Sequence, residues 1–186
     1  MSCDISTGRL EPCLDAVGGI KAVYFVNYGG LDGITYDGSN DSLISELFDG
    51  STTTDVYKFD LKGGSTLEQS FASSRENGTS ATTQTLTLML KVQNAATHNQ
   101  LKLIIYGRPH VIVEYNTGES VICGIEHGCD ASESVASLGA GLNDTNNYTV
   151  TLIGNEKEYA NFLDGATAGD PFAGFTNQPN SVVSGT

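Results

Sequence analysis

Tryptophan is absent from this sequence, and lysine plus arginine number only 9 against 22 aspartate plus glutamate. The resulting net charge of −13 excludes a free-standing nucleic-acid binder, because holding phosphate requires a local excess of cations. No apolar run reaches the roughly 18 residues that a membrane-spanning helix needs. The start, MSCDISTGRLEPC, carries acids but neither a basic stretch nor an apolar one, so no signal peptide is expected. Charged residues are only 17% of the chain, below the usual quarter of a soluble domain. There are 4 prolines but 22 glycines in 186 residues, and serine, threonine and asparagine fill the remaining polar positions. That balance suits strands and turns and argues against a helical bundle.

Chemical motifs are equally sparse. None of His98, His110 and His127 belongs to an HExxH motif, and no GxSxG, GxxxxGK[ST] or GxGxxG is present. The four cysteines, Cys3, Cys13, Cys123 and Cys129, are expected as free thiols in a reducing cytosol. His127 lies between Cys123 and Cys129, but the spacing departs from the paired thiolates of a zinc site. Asp37-Gly-Ser-Asn-Asp41 alternates oxygen ligands without the twelve-residue calcium loop and its terminal glutamate. Glu156 and Glu158, two apart, fall on one side of a strand; in a chain this acidic, two exposed glutamates are the expected reading. No catalytic residue, cofactor or metal is therefore expected, and the chain does not read as an enzyme.

The periodicity gives a mainly β fold. Ile20–Asn27 reads as a buried strand, and 55–61 as a half-buried one with Tyr57, Phe59 and Leu61 on one face. Residues 65–92 form a long hairpin whose second strand alternates Leu86, Leu88, Leu90 and Val92 with polar residues. Its tip contains Asn77-Gly78, a strong turn signal. Asn94 can cap a helix over 95–106, with Leu101, Ile104 and Ile105 as its apolar stripe; Gly107 stands where a left-handed cap is expected, and Pro109 ends the helix. Strands follow at 111–115, 121–125 and from Tyr148 to about Tyr159. Residues 28–55, with a short helical turn around Leu43–Phe48, and 130–147 read as long loops. The expected architecture is one antiparallel β-sandwich or barrel over residues 1–163, with an N-terminal arm over about 1–18 and one flanking helix. Residues 164–186 read as a weakly ordered tail.

Charge is unevenly distributed. Residues 1–60 carry a net −7, residues 61–110 a net +3 and residues 111–186 a net −9. Such polarity suits the charge-mixed surface of a monomer, and equally head-to-tail contacts between copies, which build rings or filaments.

Several blocks resemble structural proteins of tailed bacteriophages of Bacteroidota-type hosts: Gly8-Arg-Leu-Glu-Pro-Cys13, Gly19 to Tyr28, Ser74-Arg-Glu-Asn-Gly-Thr79, Tyr106-Gly-Arg-Pro-His110 and Gly154 to Phe162. Within that group the chain is most similar to a tail tube, or major tail, protein. The resemblance implies a β-sandwich with one flanking helix and a long hairpin, stacked as homo-hexameric rings. It implies a virion protein assembled in the host cytoplasm. Its partners would be copies of itself and other tail proteins, with DNA passing through unbound and no membrane involved. It places Arg75, Glu76, Asn77, Gly78 and Thr79, at the hairpin tip, in contact with neighbouring subunits. The other readings that the sequence supports are a different virion component, such as a head–tail connector, terminator or capsid decoration protein, and a β-sandwich ligand-binding module.

Overall fold

The computed structural model describes residues 7–11, 14, 17–51 and 53–185; Cys3, Cys13 and much of the expected N-terminal arm lie outside them. The elements in order are β1 (Ile20–Val26), β2 (Thr35–Asp37), β3 (Asn40–Glu46), β4 (Asp55–Asp60), β5 (Thr66–Ser74), β6 (Thr79–Lys91), α1 (Ala95–Tyr106), β7 (His110–Tyr115), β8 (Ser120–Cys123), β9 (Cys129–Leu138), β10 (Asn146–Glu156), β11 (Asn161–Leu163) and β12 (Ser181–Ser184). They form an eight-stranded sheet in the order β12-β4-β1-β7-β8-β11-β3-β2 and a four-stranded sheet in the order β5-β6-β10-β9.

The fold is mainly β with one flanking helix, as expected, but among the described residues neither sheet closes into a barrel. Nor is it purely antiparallel. In the larger sheet β11 pairs with β3, and β12 with β4, in parallel. The smaller sheet is antiparallel throughout.

Two apolar layers hold the sheets. Leu86, Leu88, Val150 and Leu152 of the smaller sheet pack against Val23, Phe25, Val111 and Val113 of the larger one, with Leu101 of α1 in the same cluster. The alternating burial of β6 and β10 follows from the two-residue repeat of a strand. A second cluster covers the far face of the larger sheet, where Tyr24, Val26, Ile112 and Ile122 meet Ile44, Leu47, Phe172 and Phe175. The larger sheet is thus apolar on both faces, and β1 and β7 are almost continuously buried.

The structure differs from the sequence expectations at several places. In place of the expected helical turn at Leu43–Phe48 the chain finishes β3 at Glu46, and Ile44, Leu47 and Phe48 are buried in the cluster on the far face of the larger sheet. The expected loop at 130–147 contains β9, hydrogen-bonded along β10. Val92 leaves the strand at φ 67° and is exposed. The final long strand stops at Glu156, and the 121–125 strand at Cys123. The helix boundaries hold, with Asn94 Oδ1 accepting from Thr97 N at 2.7 Å. The Gly107 cap, however, is extended (φ −90°, ψ 180°) rather than left-handed.

Residues 164–185 are packed against the larger sheet instead of forming a weakly ordered tail. Phe172 and Phe175 are buried, and Glu46 accepts from Thr176 N and Asn177 N at 2.5 and 3.2 Å. The same segment reaches a buried carboxylate: Glu114 on β7 accepts from Gly169 N at 2.6 Å, Lys21 Nζ at 2.6 Å and Tyr24 OH at 2.9 Å. Burial pushes the Glu114 carboxyl up, but these donors outweigh it and leave it below the usual carboxylate range.

Candidate functional site

Two places combine exposure with organised chemistry: a polar corner at one end of the sandwich, and the uncovered face and edges of the smaller sheet.

The corner is the loop joining β8 to β9, residues 124–128. Its two glycines both have positive φ, 66° at Gly124 and 71° at Gly128. A Cβ on Gly128 would meet the Arg108 carbonyl oxygen at 2.5 Å, so the tight turn and its close approach demand glycine. Three buried side chains hold this loop. Gln84 Oε1 accepts from Gly124 N at 2.9 Å. His110 Nδ1 bonds Gly124 O at 2.6 Å, while its Nε2 accepts from Gly29 N at 3.3 Å. Those partners assign the neutral tautomer with the proton on Nδ1, and burial holds the imidazole below its ordinary pKa. Glu156 Oε1 accepts from Glu126 N at 3.0 Å and His127 N at 2.9 Å.

Glu156 Oε2 then faces His127 Nδ1 at 3.2 Å. Glu126, His127 and Glu156 each present one ligand atom, all within 4.8 Å of one another. The Glu156 side chain is 4% exposed and that of His127 60%. A hollow beside them is lined by Tyr36, Asp41, Glu126, Glu158 and Tyr159. Burial, then Glu126, Glu158 and Glu156, raise the Tyr36 phenol above its ordinary pKa.

The structure therefore separates the groups that the sequence set side by side. Glu156 turns inward at the end of β10, while Glu158 lies beyond the strand and is exposed. Cys123 and Cys129 are buried in the inter-sheet core, whereas the His127 side chain is exposed. Burial raises both thiols, that of Cys129 to about 12. Neither supplies a thiolate at neutral pH. His98 sits on α1 with its Nδ1 3.3 Å from Tyr148 OH. Asp37–Asp41 forms the turn between β2 and β3, with Asp37 accepting from Ser39 N and Asn40 from Ser42 N. Sequence spacing gave no sign of Glu126 and His127 meeting Glu156. They lie some thirty positions apart, and only the β8–β9 turn and the β9–β10 ladder bring them together.

The second place is the outer face of the smaller sheet. Inward positions of β6 and β10 are buried, and the alternate positions are not. The register aligns Thr66 with Thr87 and Thr87 with Thr151, and Glu133 with Thr151. With Thr83, Thr85 and Thr149 they make a threonine-rich plane that bears Glu68 and Glu133. Among the described residues the edge strands β5 and β9 each pair with one neighbouring strand. They expose apolar side chains: Phe71 at 53% on β5, Val135 at 45% and Leu138 at 74% on β9. Unpaired edges of this length are templates for another chain. Arg75, Glu76, Asn77, Gly78 and Thr79 form and border the turn between β5 and β6, all exposed, with Gly78 at φ 62° and Asn77 N donating to Ser74 Oγ.

Compared with family models, curated proteins and solved structures, the chain matches none. Among the described residues no helix is long and apolar enough to cross a membrane.

Proposed function

We propose that this chain is a self-assembling structural subunit, the tube-forming protein of a bacteriophage tail, built as stacked hexameric rings. The observation that carries the reading is the smaller sheet: fully antiparallel, with edge strands β5 and β9 that pair with no further strand among the described residues although α1 lies beside β9, and threonine-rich on an outer face that also bears Met89, Val135 and Ile153. Along β5-β6-β10-β9 the strand directions alternate, so β5 and β9 run oppositely. The β5 of a second copy laid beside β9 continues the alternation, and each added copy presents a new β9. A contact of this head-to-tail kind closes into a ring when the rotation between copies permits.

The threonine and carboxylate face then becomes a continuous wall. A wall of the same sign as phosphate wets a duplex without holding it, which suits a DNA conduit. The hairpin tip, Arg75 to Thr79, projects beyond the end of β10, since β10 pairs with β6 only as far as Thr82. It is the element suited to contact the next ring or subunit. In this reading the protein resides in the virion tail, assembles in the host cytoplasm, performs no catalysis and contacts other tail proteins at the tube ends.

Negative-stain microscopy of the concentrated, purified protein tests the reading. Uniform rings or tubes are expected. A monomer or trimer at every concentration overturns it, the trimer pointing to a decoration protein.

A further inference from the structure

We propose that Glu126, His127 and Glu156 bind one divalent transition-metal cation of the zinc class, at the end of the sandwich where the β8–β9 loop meets β10. This site is independent of the assembly reading.

The donor set is two carboxylates and an imidazole, a combination that suits Zn²⁺ and its neighbours better than Mg²⁺ or Ca²⁺. Its geometry already has the bite of a metal site. Two ligands bound at about 2.1 Å stand about 3.0–3.4 Å apart at octahedral to tetrahedral angles. His127 Nδ1 and Glu156 Oε2 are 3.2 Å apart. The buried ligand is also oriented in advance. The N–H groups of Glu126 and His127 occupy Oε1 of Glu156, which fixes the carboxylate and turns Oε2 toward the imidazole. Such outer contacts are how proteins aim a ligating carboxylate. Glu126, the third donor, is exposed, with its ligand atom within 4.8 Å of the other two.

The surroundings favour a cation. Asp41 and Glu158 line the adjoining hollow with Glu126 and Glu156, against the single cation Lys157. Access is open, because the His127 side chain is 60% exposed; water completes the coordination. The metal takes the lone pair of a neutral His127 Nδ1, the one ring proton standing on Nε2. The ion then ties the loop leaving the larger sheet to the last residue of β10 in the smaller one.

The test is calorimetric titration of EDTA-treated, dilute full-length protein with ZnCl₂, with MgCl₂ as control, and thermal unfolding alongside. We expect one equivalent of Zn²⁺ bound at micromolar affinity, a raised unfolding midpoint and no response to Mg²⁺. His127→Ala is expected to weaken binding at least tenfold. Glu126→Gln, an exposed change that leaves the metal-free midpoint unaltered, is expected to weaken it several-fold. Absence of binding overturns the proposal. So does binding that survives both variants, or binding that disappears instead in a Cys3→Ser/Cys13→Ser variant, which would assign the zinc to those thiols.

Discussion

The two sheets of this protein are built from similar strands but stand in opposite relation to water. The larger sheet is covered on both faces, by the smaller sheet on one side and by loop residues such as Leu47, Phe48, Phe172 and Phe175 on the other. The smaller sheet is covered on one face only, and among the described residues neither of its edge strands pairs with a further strand, although α1 lies beside β9. The larger sheet reads as scaffold and the smaller as a working surface. The lesson is that alternation marks the surface and continuous apolarity the scaffold: β1 and β7 are buried nearly throughout, β6 and β10 at every second residue.

The largest expected effect lies behind the larger sheet. Replacing Glu114 with alanine takes the carboxylate acceptor from Tyr24 OH and Gly169 N, and each buried donor stranded costs about 1–3 kcal/mol, while Lys21, 41% exposed, is left to solvent. Urea unfolding of dilute protein checks this. Acid titration of the wild type sharpens it. Because the Glu114 carboxyl lies below its ordinary range in the fold, its contribution is present above the unfolded carboxylate range and disappears as pH falls through the folded value. His110, also depressed, adds a loss that begins as pH falls below the ordinary histidine value. A stability flat between pH 7 and 5 contradicts the burial of neutral His110.

Neighbouring residues on β10 test the two faces of the smaller sheet directly. Leu152→Ala empties a fully buried site and is expected to cost about 2–5 kcal/mol. Thr151→Ala, one residue along on the open face, is expected to stay within about 0.5 kcal/mol. Equal effects in denaturant titrations break the comparison.

The edges come next. Val135→Lys with Leu138→Lys puts charge on β9 where both side chains are exposed. Monomer stability is expected to change by less than about 1 kcal/mol, while the rings and tubes that the proposed function calls for are expected to be absent in sedimentation and microscopy, because edge lysines block strand addition. Tubes that persist rule out β9 as the joint. The smallest effect on the monomer is at the hairpin tip. Arg75→Ala with Glu76→Ala is expected to leave unfolding unchanged within about 0.5 kcal/mol. Its expected consequence is shorter stacks with intact rings; unaltered tube lengths remove the tip from the contacts.

Legibility followed the same division. The helix over 95–106 was readable because its cap, apolar stripe and following proline are all local. The 65–92 hairpin was readable because alternation and Asn77-Gly78 agree. Strand β9 was not, since its serines, alanines and glutamates are exposed on both faces and only pairing to β10 makes it a strand. Strands β11 and β12 are too short to show a period, and their parallel partners lie far away in the chain. At the polar corner the individual residues were visible, but their meeting was not.

Sequence alone determined the class of structure here. Strand periodicity, glycine turns and the shortage of cations are local or compositional properties, and each acts before any long-range contact forms. Tertiary packing decided the rest: that the sheets stay open, that Phe172 and Phe175 draw the C-terminal residues onto the larger sheet, and that Glu126 and His127 lie against Glu156. Those outcomes depend on apolar burial and hydrogen-bond satisfaction between segments distant in the chain, which no short window of residues contains.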